Sequence, residues 1–295
     1  MKDLISLEGW NNPDIIDLIS HASKIKKDPK KYYNTLKNKT MLMIFEKPSL
    51  RTRLSFEAGM TQLGGHAIFL DAKDSPLGKK ESISDTAKAS SRYCDIIMAR
   101  LFKQEQIKEL AENATIPVIN GLTDIFHPCQ ILSDLLTIKE KKGKLKDLKL
   151  CYVGDGNNNI THSLLLGCSI TGMDISVGCP EQHMPQKWIV KIAEKNAKKS
   201  GSKIEILNDA KKAVINADAV YADSWMSYHI PKTQEKARIE LFKPFQVNDK
   251  LMKHAKKDAI FMNCLPAMRG YEQTAEVIDG KQSIVFDQAE NRLHM

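Results

Sequence analysis

Between positions 45 and 57 the chain reads FEKPSLRTRLSFE. Ser49, Thr52 and Ser55 supply hydroxyls, and Arg51 and Arg53 supply guanidinium forks that grip two phosphate oxygens at once. An apolar run, MLMIF, precedes the stretch, and an apolar pattern resumes from Thr52, so a helix begins here. The first N–H groups of a helix are unpaired and its dipole favours an anion. Hydroxyls, cations and helix start together make a phosphate site. Capping alone needs one Ser or Thr, not this whole set. The stretch is not a P-loop, because the Gly-rich spacing and the GK[ST] ending are absent.

Four other stretches carry polar chemistry. In HPCQ (127–130), Pro128 holds His127 extended and starts a helix, which puts His127 and Gln130 at a carboxyl end of a sheet. Open α/β folds bind ligands there. Taken alone, His127 reads equally well as a satisfied surface histidine. Arg100 closes the apolar DIIMAR and points to the same edge, or makes a routine surface ion pair. GDGNNNITHS (154–163) looks like a dinucleotide fingerprint, but GxGxxG needs glycine where Asn159 stands. A Rossmann-type dehydrogenase is then supported only by Glu181 near the end of the next strand. The carboxamides suit a polar zwitterion instead. Asp223 in DSWMS is either the partner of a substrate ammonium or a helix N-cap. NCLPAMRG (263–270) puts Cys264 at a strand end, as a site residue or a small buried hydrophobe, before an X-Pro bond of the kind that can be cis.

These groups are carried by 295 residues, enough for one large or two medium domains. Hydrophobic residues are 42% and charged residues 27%, ordinary for a globular chain. The longest apolar runs, such as LLLGCSI (164–170), are too short to span a bilayer. The N-terminus has no signal-peptide core, so the expectation is a cytoplasmic protein with no membrane partner. The six cysteines show no CxxC and no zinc-like spacing, which favours reduced thiols. The net charge of +8 suits a small anionic substrate. Its lysine runs (24–31, 139–149) lack interleaved aromatics, which argues against nucleic acid.

Strand-like runs alternate with helical periodicity. Helices are expected at 12–27, 52–64, 83–93, 104–113, 128–140, 160–172, 185–200 and 209–217. Strands are expected at 41–45, 66–70, 95–100, 116–120, 148–155, 173–179, 203–207, 219–223, 258–264 and 283–287. This alternation implies parallel sheets in two α/β halves that meet near 128–147.

FEKPSLRTRLSFE, LGGHAIFL, ESISDTAKASSRY, MAR, PVINGLTDIFHPCQILSDLLT, GDGNNN, DSWMS, NCLPAMRG and FDQAENR follow one another along nearly the whole chain. In content, order and spacing the chain resembles the aspartate/ornithine carbamoyltransferase family. HPCQ with CLPAMRG points to the ornithine branch, since the aspartate branch is expected to carry a PLPR-type segment. The resemblance implies two doubly wound α/β domains, each with a central parallel sheet flanked by helices. Residues 1–134 would bind carbamoyl phosphate and 135–295 ornithine, with the C-terminal end packing back on the first domain. The implied reaction moves the carbamoyl group of carbamoyl phosphate to the δ-amine of L-ornithine, giving L-citrulline and phosphate, with no metal or organic cofactor. N-acylated ornithine is the alternative acceptor, because SLRTR recurs in acetylornithine-type relatives.

The resemblance also implies roles. Carbamoyl phosphate binds first, held by Ser49, Leu50, Arg51 and Thr52. Arg100 and His127 donate to the carbamoyl oxygen, Gln130 positions the amide, and Arg51, Arg100 and Arg292 neutralise the phosphate. Cys264 and Leu265 complete that site. Asn158 or Asn159, Asp223, Ser227 and Tyr228 hold ornithine, with Asp223 and Cys264 facing the δ-amine and Cys264 positioning rather than attacking. The family builds homotrimers or higher multiples, with Lys79 or Lys80 of SPLGKKES reaching a neighbour's phosphate. Four departures stand out. Leu50 replaces a threonine and Pro76 a polar residue. Ser227-Tyr228-His229 replaces Ser-Met-Gly. The chain stops at AENRLHM where relatives continue with a helix, which implies a trimmed sequence or a weaker domain pairing.

Overall fold

A parallel sheet covered on both faces needs strands that are apolar on both sides, and MLMIF is such a run. In the computed structural model, which describes residues 3–74, 80–226 and 230–295, it forms all of β1 after the first residue. The chain divides into two compact units, one of Met1–Leu7, Asp17–Leu132 and Arg292–Met295, the other of Glu8–Ile16 and Ser133–Asn291. In chain order the first elements are α1 (Asn12–Lys27), β1 (Thr40–Phe45), α2 (Leu50–Gln62), β2 (His66–Asp71), α3 (Ile83–Tyr93), β3 (Ile96–Arg100), α4 (Gln104–Asn113), β4 (Val118–Leu122) and α5 (Pro128–Lys142). There follow β5 (Lys149–Val153), α6 (Asn159–Thr171), β6 (Asp174–Gly178), α7 (Lys187–Ser200), β7 (Ile204–Leu207), α8 (Ala210–Val214), β8 (Ala219–Ala222), α9 (Glu235–Phe242), α10 (Asp249–Met252), β9 (Ile260–Met262), α11 (Ala275–Ile278) and α12 (Val285–His294).

The first unit holds a parallel sheet in the order β2-β1-β3-β4. Successive side chains of a strand point to opposite faces. Leu42 and Ile44 of β1 accordingly join one apolar cluster with Ile97 and Ala99 of β3. Met41, Met43 and Phe45 join another with Met98. The second unit holds a parallel sheet in the order β7-β6-β5-β8-β9. Cys151, Val153, Val220, Ala222 and Phe261 share one cluster there. LLLGCSI lies in α6, a helix buried all round from Ile160 to Thr171, which accounts for its unbroken apolarity.

Strand order reverses direction once in each sheet, between β1 and β3 and between β5 and β8. Chains leaving the carboxyl ends of such neighbours turn to opposite sides and open a crevice. FEKPS and Arg100 lie at the first reversal, and GDGNNN and DSW at the second.

Two expectations need correction. SIVFD (283–287) is not a strand: Ser283 makes an isolated bridge to Phe261, and α12 begins at Val285. Ile284, Val285, Gln288, Asn291 and Arg292 are the buried positions, a helical period that outweighs the β-propensity of Ile-Val-Phe. The helix expected at 209–217 is α8 alone, and it ends before Asn216, which is left-handed at φ 59°.

Candidate active site

In the first unit β1 runs into a turn, and Ser49 caps α2. Its extended backbone (φ −160°, ψ 114°) lets Oγ accept from Thr52 N at 3.3 Å and donate to Thr52 Oγ1 at 3.0 Å. No acidic residue occupies the first turn, so the positive end of the dipole is not offset. The two arginines part company. Arg53 donates from Nε to Glu57 at 2.9 Å and lies over the Phe69 ring at 3.8 Å. Arg51 is half-buried, and its charge reaches His127. Leu50 is exposed.

Arg100 ends β3 buried, its carbonyl accepting from Glu46 N at 2.9 Å, where the β3–β4 register breaks between Ala99 and Arg100. Pro128 starts α5 directly after His127. Arg292, from the last turn of α12, donates through Nη1 to Gln130 Oε1 at 3.0 Å and meets His127 Nε2 at 3.3 Å. A guanidinium can only donate, so Nε2 accepts and the imidazole proton sits on Nδ1. Burial, then the charges of Arg292, Arg100, Lys47 and Arg51, hold the His127 pKa well below 6.5. A neutral imidazole therefore stands amid four cations. Arg292 Nε is buried and has no hydrogen-bond partner among the described residues. Such a cluster suits a small dianion with a carbonyl beside it.

Lys47 escaped the sequence reading. It is 3% exposed, with Nζ 4.4 Å from the centroid of the Phe102 ring. Burial first, then Arg100, lower its pKa to about 8, against Asp124 and Glu46. The only sequence signal is a lysine at a strand end just before the capped turn.

In the second unit Gly154 leaves β5 at φ +137°, a backbone that favours glycine. Asn158 caps α6, with Oδ1 accepting from Thr161 N at 2.8 Å and Nδ2 donating to Tyr152 Oη at 2.7 Å. The carboxamide of Asn158 is thus engaged at both ends. Asn159 is half-buried in the first turn. No helix begins at Asp223, so the N-cap reading falls. Asp223 Oδ1 accepts from Ser224 N at 2.8 Å and from Cys264 Sγ at 3.2 Å. Cys264 follows β9 half-buried. Leu265 after it is left-handed at φ 58° and joined to Pro266 by a cis bond, with its N–H donating to Asn263 Oδ1 at 2.7 Å. Ser227, Tyr228 and Lys79 lie outside the described residues; Lys80 is exposed.

A buried ion pair backs this region. Arg238 of α9 donates from Nη2 to Asp155 Oδ2 and from Nε to Trp225 O at 2.7 Å. His183 Nδ1 lies 3.1 Å from Asp155 Oδ1. Burial pushes the Asp155 carboxyl up, but His183 and Arg238 outweigh it and hold the pKa below its usual value. The pair ties the GDGNNN turn to the main chain of DSW. Among the described residues no group of three or more His, Cys, Asp or Glu is placed to hold a metal ion. No described helix is long and apolar enough to cross a membrane.

Residues 2–140 match the family model of the aspartate/ornithine carbamoyltransferase carbamoyl-P binding domain, and residues 146–295 that of the Asp/Orn binding domain. The chain belongs to the aspartate/ornithine carbamoyltransferase family. Within the family, ornithine carbamoyltransferase of Bacillus subtilis is 50% identical over 294 residues, 100% of this chain and 91% of its own. The anabolic ornithine carbamoyltransferase of Pyrococcus furiosus is 48% identical over 295 residues, 99% of this chain and 93% of its own. The solved Pyrococcus furiosus structure superposes with a TM-score of 0.96 at 48% identity, covering 99% of this chain and 94% of that one. Set against these family models, His127 with Lys47, Arg51 and Arg100 falls in the carbamoyl-P half, and Arg292 with the Asp223–Cys264 pair in the Asp/Orn half.

Proposed function

We propose that this chain transfers the carbamoyl group of carbamoyl phosphate to the δ-amine of L-ornithine, releasing L-citrulline and phosphate. The observation that carries the reading is Arg292 bonded to both His127 and Gln130 within the Lys47, Arg51 and Arg100 cluster. The capped start of α2, with Ser49, Leu50, Arg51 and Thr52, receives the phosphate on backbone N–H groups and hydroxyls. Arg100 and His127 face the carbamoyl oxygen, and Gln130 the carbamoyl amide. His127 donates there from Nδ1 while Nε2 accepts from Arg292. Donors aimed at that oxygen stabilise the negative charge that grows on attack.

The ornithine α-ammonium is met by Asp223 and Asn159, with Asn158 holding the turn. Ser227 and Tyr228 belong to the segment expected to close over the amino acid. Cys264 and Asp223 orient the neutral δ-amine, and Leu265 presents its backbone. The amine nitrogen bonds to the carbonyl carbon, the carbon–oxygen bond to phosphate breaks, and the leaving phosphate takes the amine proton and departs as hydrogen phosphate dianion. Arg51, Arg100 and Arg292 offset its charge.

The reading includes a cytoplasmic homotrimer or higher multiple, with Lys80 or Lys79 visiting a neighbour's phosphate. Leu50 and Leu54 on α2, 69% and 55% exposed, support such a covered face. The test is to incubate the pure protein with carbamoyl phosphate and L-ornithine, N-acetyl-L-ornithine or L-aspartate, and to measure ureido product and phosphate. Citrulline from ornithine alone is expected. Product only from the acetylated amine would reassign the acceptor, and none with any amine would sink the reading.

A further inference from the structure

The segment from Cys264 to Met268 is held by two residues that follow it. Glu272 is 1% exposed, and its Oε1 accepts from Met268 N at 2.7 Å. Gln273 donates from Nε2 to Met268 O at 3.3 Å and accepts at Oε1 from Asn263 Nδ2 at 3.0 Å. The Glu272 carboxyl therefore sits behind the loop that carries Cys264. It also lines a small space with Ser224, Trp225, Met226, Glu235 and Met268. The wall opposite is thus the turn that follows Asp223.

The charges facing Glu272 are mostly of its own sign. Asp223 at the end of β8 and Glu235 of α9 lie on the opposing side. Arg269 on its own loop is committed to Asp279 at 2.6 and 2.8 Å. Arg238 of α9 is committed to Asp155. Among the described residues, the others lining this space, Ile239 and Tyr271, bring no positive charge.

We propose that Glu272 is a positioning residue that sets the charge of the amine pocket. With its proton it fixes the Cys264–Met268 loop beside a singly charged Asp223. Without it, it adds a second negative charge that favours a cationic ligand. Burial pushes its pKa up to about 7; the Met268 N–H pulls it back and the Asp223 charge adds to the rise. An ammonium arriving at Asp223 lowers that value, so binding near pH 7 expels the Glu272 proton. The inference rests on the reading of Asp223 and Cys264 as the amine pocket.

The test uses L-norvaline, which keeps the amino and carboxylate groups of ornithine but has no nucleophile. It is titrated calorimetrically into the whole protein saturated with carbamoyl phosphate, at pH 7, in buffers of different ionisation heat. Wild type should release about half a proton per site, because a group at its pKa is half protonated. Glu272→Gln keeps an oxygen for Met268 N but cannot titrate, so it should bind L-norvaline with that release abolished. Equal release in both proteins would overturn the inference. Failure of wild type to bind L-norvaline would instead overturn the amine pocket itself. Should Glu272→Gln not fold, carboxyl-carbon NMR of wild type decides. A glutamate midpoint near 7 that falls on adding L-norvaline supports the inference, whereas no glutamate titrating above the ordinary 4.5 refutes it.

Discussion

Cys264 Sγ donates to Asp223 Oδ1 across 3.2 Å. The thiol points its proton at a carboxylate, a geometry for orienting an amine and not for attacking a carbonyl. A hydrogen bond to a charged partner contributes about 1.5–3 kcal/mol. Cys264→Ala should therefore lower kcat/KM for L-ornithine by about ten- to a hundredfold. Turnover should persist, and mass spectrometry of the working enzyme should find no carbamoylated thiol.

His127 is held neutral by burial and four cations. His127→Ala should lower kcat by about 10²–10³-fold, the usual cost of removing one oxyanion donor. The sign of its pH effect is fixed. The folded-state pKa lies below the unfolded 6.5, so the folded unit binds fewer protons than the unfolded chain below that pH. The stability contribution is present above pH 6.5 and lost on acidification. Thermal melts of His127→Gln should show a shallower loss from pH 7 down to about 5 than those of wild type.

Ser49 caps α2, and in the proposed reading it also receives the phosphate. Ser49→Ala should cost about 0.5–2 kcal/mol of stability and weaken carbamoyl phosphate. Ser49→Asp separates the two roles, because aspartate caps well but repels a dianion. Melting should stay near wild type while the KM for carbamoyl phosphate rises steeply.

Lys47 should lose its charge as pH rises through about 8. The Kd for carbamoyl phosphate, followed by equilibrium binding, should increase on that alkaline side. Lys47→Met should bind weakly at every pH and lack the limb.

The Arg238–Asp155 pair is buried on both sides. Removing one partner of such a pair costs about 3–5 kcal/mol. Arg238→Met should lower Tm sharply, and adding Asp155→Leu should restore part of the loss.

Much of the site was legible because strand ends are legible. Arg100 and His127 in the first unit, and Asp223 and Cys264 in the second, each come after an apolar run, and a parallel sheet brings such ends to one edge within its own unit. Arg51 and Arg53 could not be told apart in role from composition alone. Residues two apart on a helix face different ways, and only the fold says which way points to His127. Lys47, Glu272 and the Asp155–Arg238 pair were missed because their chemistry comes from burial and from partners distant in sequence. SIVFD misled because Ile284 and Val285 suit a strand, whereas the deciding polar contacts are made later in the helix. Gln288 reaches Asp134 at 2.8 Å and Asn291 reaches Thr137 at 2.9 Å.

Leu265 holds a left-handed backbone that costs an ordinary side chain about 1–2 kcal/mol, and its side chain packs partly against the apolar cluster of the second unit. That conflict has an evolutionary reading. A laboratory lineage selected only for heat resistance would have reason to try glycine here, relaxing the backbone while giving up packing. A lineage selected for turnover would have reason to keep leucine, since a looser loop lets Cys264 drift from Asp223. The residue identity at this one position would record which pressure had dominated.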